Sequence, residues 1–149
     1  MDSPLRRTSL NALRPWVRSL LVSSAWSLLV SGLIWLPVHY LYGSGAGEVP
    51  PPLEPWLMRW HGLAMLIGLY ALGAISATHV PRGWALRRQR PSGAILLAGW
   101  AVLAGSGWAL YYLPVDDWRP WLGTGHALVG VAVFLVGLAH DRRRRGTRS

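Results

Sequence analysis

The stretch that decides the fold runs from Trp60 to His79 and reads WHGLAMLIGLYALGAISATH. It contains no charged residue and is long enough for a helix to cross a hydrocarbon core of ~30 Å. A histidine stands near each of its ends, and a later apolar run carries His126 and His140 in the same way. Ionisable side chains are expensive inside a membrane, so their presence in both runs points to a function.

The composition favours a membrane protein. Among 149 residues, 52% are hydrophobic, only 14% are charged and ten are tryptophan, which is far from the soluble average. The absence of cysteine excludes disulfides, thiolate-held iron–sulfur or zinc sites and covalently attached c-type haem. A net charge of +9 would suit nucleic acid, but the basic residues are all arginine and cluster between apolar runs. This pattern indicates membrane topology and no nucleic-acid partner.

The expected fold class is all-α. The chain is predicted to be a polytopic membrane protein with a four-transmembrane-helix bundle, forming a single membrane domain over residues 1–149. A signal peptide is the alternative for the first apolar run, but that run is longer than a signal core and no convincing cleavage site follows it. The predicted helices cover about 19–38, 56–80, 92–113 and 121–140, before a basic cytoplasmic tail at 141–149.

The arginines predict the orientation. Thirteen of the fifteen lie before the first helix, between the second and third helices, or after the fourth, and only Arg59 and Arg119 lie on the other side. Short arginine-rich segments stay in the cytoplasm, so both termini are expected to be cytoplasmic. The expected location is a bacterial inner membrane, since this arginine-only usage is typical of GC-rich bacterial genomes. In this topology the second and fourth helices run parallel.

The histidine spacing predicts two metal sites. His61 and His79 are 18 residues apart and His126 and His140 are 14 apart, so each pair falls close to one face of its helix. If these faces meet, His61 and His126 form an outer pair, and His79 and His140 an inner pair. Each pair would bind one iron from both sides, which predicts two non-covalent b haems. The two histidines of the inner pair would lie at different depths along the bundle, because 18 residues rise ~27 Å and 14 rise ~21 Å.

Small residues accompany the histidines. Gly68 lies almost under His61, and Gly130 and Gly137 lie near the face of His126. Flat rings between helices need such space, so these three glycines are predicted to contact the cofactor. Close helix packing is the alternative explanation.

Other polar residues allow further interpretations. His39 is expected in a loop after the first helix, although it could replace a partner in the outer pair. Ser19, Ser23, Ser27 and Ser31 form a stripe that is predicted to pack against another helix. Histidine clusters also bind zinc or copper, but no Asp or Glu lies within the predicted helices to complete such a site.

The pattern resembles the bacterial cytochrome b561-like proteins, small four-helix membrane cytochromes with two bis-histidine haems. The similarity covers residues 56–145. It implies that His61, His79, His126 and His140 are axial ligands. The residues that carry it are Arg59-Trp-His61-Gly62, His79-Val-Pro-Arg-Gly-Trp84 with Arg87, Arg88 and Ser92-Gly93, Gly107-Trp-Ala-Leu-Tyr-Tyr112, and Gly125-His126 to His140.

These observations predict transmembrane electron transfer by a component of a redox system and leave open whether the chain is an enzyme on its own. Expected partners are membrane lipid, a periplasmic c-type cytochrome or other redox protein, and quinone at the inner site. The sequence leaves open a homodimer or a subunit of a larger complex. The alternatives are a cofactor-free membrane anchor or assembly subunit of a redox complex, and a quinone-binding membrane subunit.

Overall fold

The computed structural model describes residues 15–77, 80–81, 90–114 and 117–146. Side chains are described up to residue 142. In these ranges the chain is helical apart from its connecting turns, and four helices are long and apolar enough to cross a membrane. The expected all-α class with four candidate membrane-spanning helices is therefore confirmed. The helices are α1 (Pro15–Tyr42), α2 (Leu53–Ser76), α3 (Arg90–Tyr112) and α4 (Arg119–Gly146), with a short 3-10 helix at Ser44–Ala46.

Two helices extend beyond their predicted ends. α1 continues through Pro37 to Tyr42, where the sequence suggested a loop, and α4 continues to Gly146 into the segment expected to be a tail. A proline removes one helical hydrogen bond, which suggested an end at Pro37. Near the end of a 28-residue helix that loss is small, and the continued helix brings His39 to Glu54 of α2.

The first two helices form an antiparallel hairpin whose facing positions repeat every seven residues. This heptad spacing keeps one seam of each helix against its partner. Small residues occupy the middle, where a methyl group on Gly68 would come within 3.1 Å of the Ser24 Oγ. The facing pairs are Val17 with Ile75, Ser24 with Gly68, and Ser31 with His61.

The last two helices form a second hairpin with the same repeat. At its centre a methyl group on Gly99 would overlap the Val133 side chain, so these two helices also approach closely. Serine and histidine meet at the positions seven residues above and below that contact. The facing pairs are Ser92 with His140, Gly99 with Val133, and Ser106 with His126.

The two hairpins contact each other mainly through α1 and α4. The rings of Trp26 and Phe134 pack edge to face with centroids 4.7 Å apart, and Arg18 forms a 2.7 Å ion pair with Asp141. In the described part of the chain, α2 and α4 do not pack along each other. The fold thus leaves a space between α2 and α4. We call the end where α1 joins α2 and α3 joins α4 the loop end, and the end with Arg18 and Asp141 the arginine end.

The outer faces of the helices are apolar. Leu66 of α2 and Leu128 of α4 are each 67% exposed, and most large hydrophobic side chains also face outward. A surface of this kind is stable when hydrocarbon surrounds it. Exposed aromatic residues are concentrated at the loop end, as in interfacial belts. They include Tyr42, Trp56, Trp60, Trp108, Tyr111, Tyr112, Trp118 and Trp121.

Candidate cofactor site between the two hairpins

His61 and His126 meet across the space between α2 and α4. Their ring centroids are 6.3 Å apart and the ring planes are inclined at 57°. Both side chains are partly buried and lie in the half of the bundle nearest the loop end. The structure therefore brings together the two residues that were predicted to form the outer pair.

A serine of the neighbouring helix holds each of these imidazoles. The Nδ1 atom of His61 lies 2.9 Å from the Ser31 Oγ, and the Nδ1 atom of His126 lies 2.7 Å from the Ser106 Oγ. Each bond is made within one hairpin, from α1 to α2 and from α3 to α4. Each hydrogen bond links an imidazole to the other helix of its hairpin and so orients the ring.

A glycine follows each of these serines. A methyl group on Gly32 would lie 3.5 Å from the Cε1 atom of His61, and one on Gly107 would lie 3.5 Å from the Cε1 atom of His126. The glycines thus leave room beside the rings. The repeated Ser-Gly dipeptide is the sequence signal for these contacts. Of the two serines, only Ser31 was given a role from the sequence, as part of a predicted packing stripe.

Trp100 fills the centre of the bundle below the histidine pair. Only 8% of it is exposed, and its ring reaches from α3 to Gly68 of α2. A methyl group on Gly68 would come within 2.7 Å of the Trp100 Cη2 atom. In the structure Gly68 therefore makes room for an indole ring, and its predicted contact with a cofactor stays a prediction.

The other two glycines that were predicted to contact the cofactor lie on α4 and face α3 of the same hairpin. Methyl groups on Gly130 and Gly137 would lie 3.8 Å from the leucine side chains of Leu103 and Leu96 on α3. Both positions have ordinary van der Waals space on that side. Their contact with a cofactor also stays a prediction.

A groove beside the histidine pair opens toward the surroundings of the bundle. It has a volume of about 300 Å³ and lies between α1 and α2, where the indoles of Trp26 and Trp60 form two of its walls. Its inner end reaches Ser31, the residue that binds His61. The histidine pair is therefore next to a mostly apolar groove that is open to the outside of the bundle.

The arginine end is built differently. The Nδ1 atom of His140 lies 2.8 Å from the Ser92 Oγ, so the same kind of pair occurs in the second hairpin. At the corresponding positions the first hairpin has Val17 and Ile75, which are buried and apolar. His79, the predicted partner of His140, lies outside the described residues.

His39 does not join the histidine pair. It lies in α1, where a loop had been expected, and its Nδ1 atom is 2.7 Å from the Glu54 Oε1. Ser44 also contacts Glu54, through its hydroxyl at 2.8 Å and its backbone N–H at 3.3 Å. Glu54 is only 7% exposed. These three residues form a polar cluster that joins α1, the connecting turn and α2 at the loop end.

The donor set at the histidine pair fits a haem. Among the described residues no group of three or more His, Cys, Asp or Glu side chains comes together. Structural zinc needs four ligands, so two imidazoles do not complete such a site. A haem iron takes only its axial ligands from the protein, and two facing imidazoles are ligands of that type.

No protein-family model, curated protein or solved structure matches the chain. The resemblance to cytochrome b561-like proteins therefore stays a prediction that rests on the quoted residues.

Proposed function

We propose that the chain is a b-type electron-transfer protein of a membrane, with one haem held between His61 and His126. The observation that carries this proposal is the 6.3 Å separation of the two ring centroids. An imidazole nitrogen binds a metal at about 2.0–2.1 Å, so two rings on opposite sides of one metal have centroids about 6 Å apart. The two histidines already have this spacing.

The surroundings support electron transfer. The haem would supply an iron that exchanges single electrons, and two histidine ligands would leave that iron no open position. Because the chain lacks cysteine, the haem would be held non-covalently. Ser31 and Ser106 hold the two imidazoles, and both histidines are partly buried in the bundle.

A second haem is proposed at the arginine end, with His140 and His79 as its ligands. The His140 Nδ1 atom and the Ser92 Oγ share a hydrogen bond, as the His126 Nδ1 atom and the Ser106 Oγ do. Ser92 and Ser106 are 14 residues apart, and so are His140 and His126. At ~1.5 Å per residue the two levels are separated by ~21 Å along the helices.

The arginine distribution supports the orientation. We propose that the arginine end and both termini are cytoplasmic and that the membrane is the bacterial inner membrane. The loop end would then face the periplasm, where a c-type cytochrome or another redox protein would exchange electrons with the first haem. Quinone is the proposed partner at the cytoplasmic side.

Absorption spectroscopy of the purified full-length protein tests this function. We expect a Soret band and a pyridine haemochrome of the b type. His61→Ala and His126→Ala should each abolish haem binding at the first site, whereas His39→Gln should leave it unchanged because His39 binds Glu54. A colourless wild-type protein would exclude the proposal and favour the cofactor-free anchor.

A further inference from the structure

Both hairpins present the same structural unit at the histidine pair. In each, a Ser-Gly dipeptide on the first helix faces a histidine on the second, and the serine contacts Nδ1 while the glycine lies beside Cε1. In the heptad register Ser31 corresponds to Ser106 and His61 to His126, whereas the residue types differ at the other seam positions. The site is thus assembled from two copies of one unit.

The hydrogen bonds of Ser31 determine the direction of its bond to His61. The Ser31 Oγ lies 2.6 Å from the carbonyl oxygen of Ser27 and 3.2 Å from that of Leu28. A carbonyl oxygen only accepts, so the serine hydroxyl donates its proton there. The serine oxygen then accepts from His61, which places the proton of the neutral imidazole on Nδ1.

Ser106 leads to the same result in the second hairpin. Its Oγ lies 2.7 Å from the carbonyl oxygen of Val102 and 3.3 Å from that of Leu103. Its single proton is therefore also donated to the backbone, and His126 donates from Nδ1 to the serine oxygen.

We infer that Ser31 and Ser106 are positioning residues that hold both imidazoles in the Nδ1–H tautomer and make Nε2 the ligating nitrogen of each. A neutral imidazole has one N–H, so neither ring has a proton left to donate to the other. Neither ring can therefore donate a hydrogen bond to the Nε2 atom of the other, whereas a metal between the rings can bind both Nε2 atoms. The assignment to a haem iron rests on the proposed function, whereas the tautomers follow from the serines alone.

The hydrogen bonds also affect the bound metal. An acceptor on the outer N–H of a metal-bound histidine raises the basicity of the ligand and favours the more oxidised metal. Loss of one serine acceptor should therefore raise the reduction potential. Because the two units are equivalent, Ser31→Ala and Ser106→Ala should give similar shifts, and the double variant should give their sum.

The first experiment measures the tautomers without a cofactor. The full-length chain is labelled with ¹⁵N histidine, produced without haem and studied by NMR in lipid nanodiscs. We expect Nδ1–H for His61 and His126, and conversion toward Nε2–H at His61 alone in Ser31→Ala and at His126 alone in Ser106→Ala. Ser31→Thr, which keeps a hydroxyl, should retain the wild-type state.

The matched control is Ser24→Ala. Ser24 is a buried serine on the same seam of α1 and donates to the Leu21 carbonyl oxygen at 3.0 Å, but it faces Gly68 and no histidine. Its replacement should leave both tautomers unchanged. Nε2–H in the wild type, or an unchanged tautomer in both serine variants, would overturn the inference whether or not the protein binds haem.

The second experiment measures the potential of the haem protein. Each serine-to-alanine variant should lower the preference for the ferric state by about tenfold, which for a one-electron couple is a rise of about 59 mV. Potentials equal to the wild type would contradict the positioning role while leaving the proposed haem intact. A protein without haem but with the expected tautomers would reject the proposed function and keep the serine assignment.

Discussion

The loop end and the arginine end of the bundle use the same hairpin register but differ in symmetry. At the loop end both hairpins have a serine facing a histidine, and the two imidazoles meet. At the arginine end only the second hairpin has this pair, because Val17 and Ile75 occupy the corresponding positions of the first. Two equivalent units thus form the histidine pair at the loop end, whereas the second site proposed above would need a ligand from outside the repeat.

Loss of a ligand at the loop end should have the largest effect. His126→Ala should remove the haem of the first site and leave the second, so the haem content should fall by half. His79→Ala should remove the other half. Pyridine haemochrome assays against protein concentration measure both. Loss of all haem in either variant would contradict two independent sites.

A substitution between the two ends should affect stability more than haem ligation. In Gly68→Ala the new methyl group would meet the Trp100 ring, and overpacking of this kind costs about 1–3 kcal/mol. Thermal unfolding in detergent measures the change. Gly62→Ala is the matched control, because a methyl group there meets no atom within 4 Å. Equal stability of the two variants would show that the Trp100 ring does not pack against Gly68 as the structure places it.

The polar cluster at the loop end should contribute less. Glu54→Gln removes the carboxylate that binds His39 and Ser44, and a loss of about 1 kcal/mol is expected because a buried polar group keeps poorer partners. Unfolding of this variant should be compared with that of Glu48→Gln, an exposed residue of the same connection. A haem spectrum that changed with Glu54→Gln would link this cluster to the first site.

The ion pair at the arginine end should contribute least. Arg18 and Asp141 have side chains that are 40% and 34% exposed, and exposed pairs contribute about 0–1 kcal/mol. Asp141→Asn should therefore lower stability by less than about 1 kcal/mol. A double-mutant cycle with Arg18→Gln measures the coupling. A coupling free energy larger than the stability loss in Glu54→Gln would mean that the ion pair at the arginine end contributes more to stability than the polar cluster at the loop end.

Much of the fold could be predicted from the sequence because membrane helices have a strong compositional signal. Four apolar runs of sufficient length gave four helices, and their limits were predicted to within about four residues except at Gly146, six residues beyond the predicted end of α4. α1 also continues four residues beyond its predicted end, to Tyr42. Those two ends were missed for local reasons. A proline suggests an earlier end of α1, and a run of arginines suggests an earlier end of α4. α1 continues because it packs on α2, and α4 continues through its i to i+4 hydrogen bonds.

The histidine pair was only partly predictable. Helical periodicity placed His61 and His126 on faces that could meet, and the structure brings the two rings together. The same periodicity predicts that Gly130 and Gly137 contact a cofactor. The structure places Leu103 and Leu96 of α3 beside them, and the contact with a cofactor stays a prediction. Periodicity defines which residues share a face, but the neighbour of that face depends on how the hairpins pack.

The sequence by itself determined the all-α class, the four long apolar helices and the histidines as candidate ligands, because hydrophobic length and rare polar residues are local properties. Only the tertiary structure decided that Ser31 and Ser106 bind the two imidazoles and that Trp100 lies below them. These contacts join helices that are distant in sequence. Their register is set by close packing along two heptad seams, which no single run of residues contains.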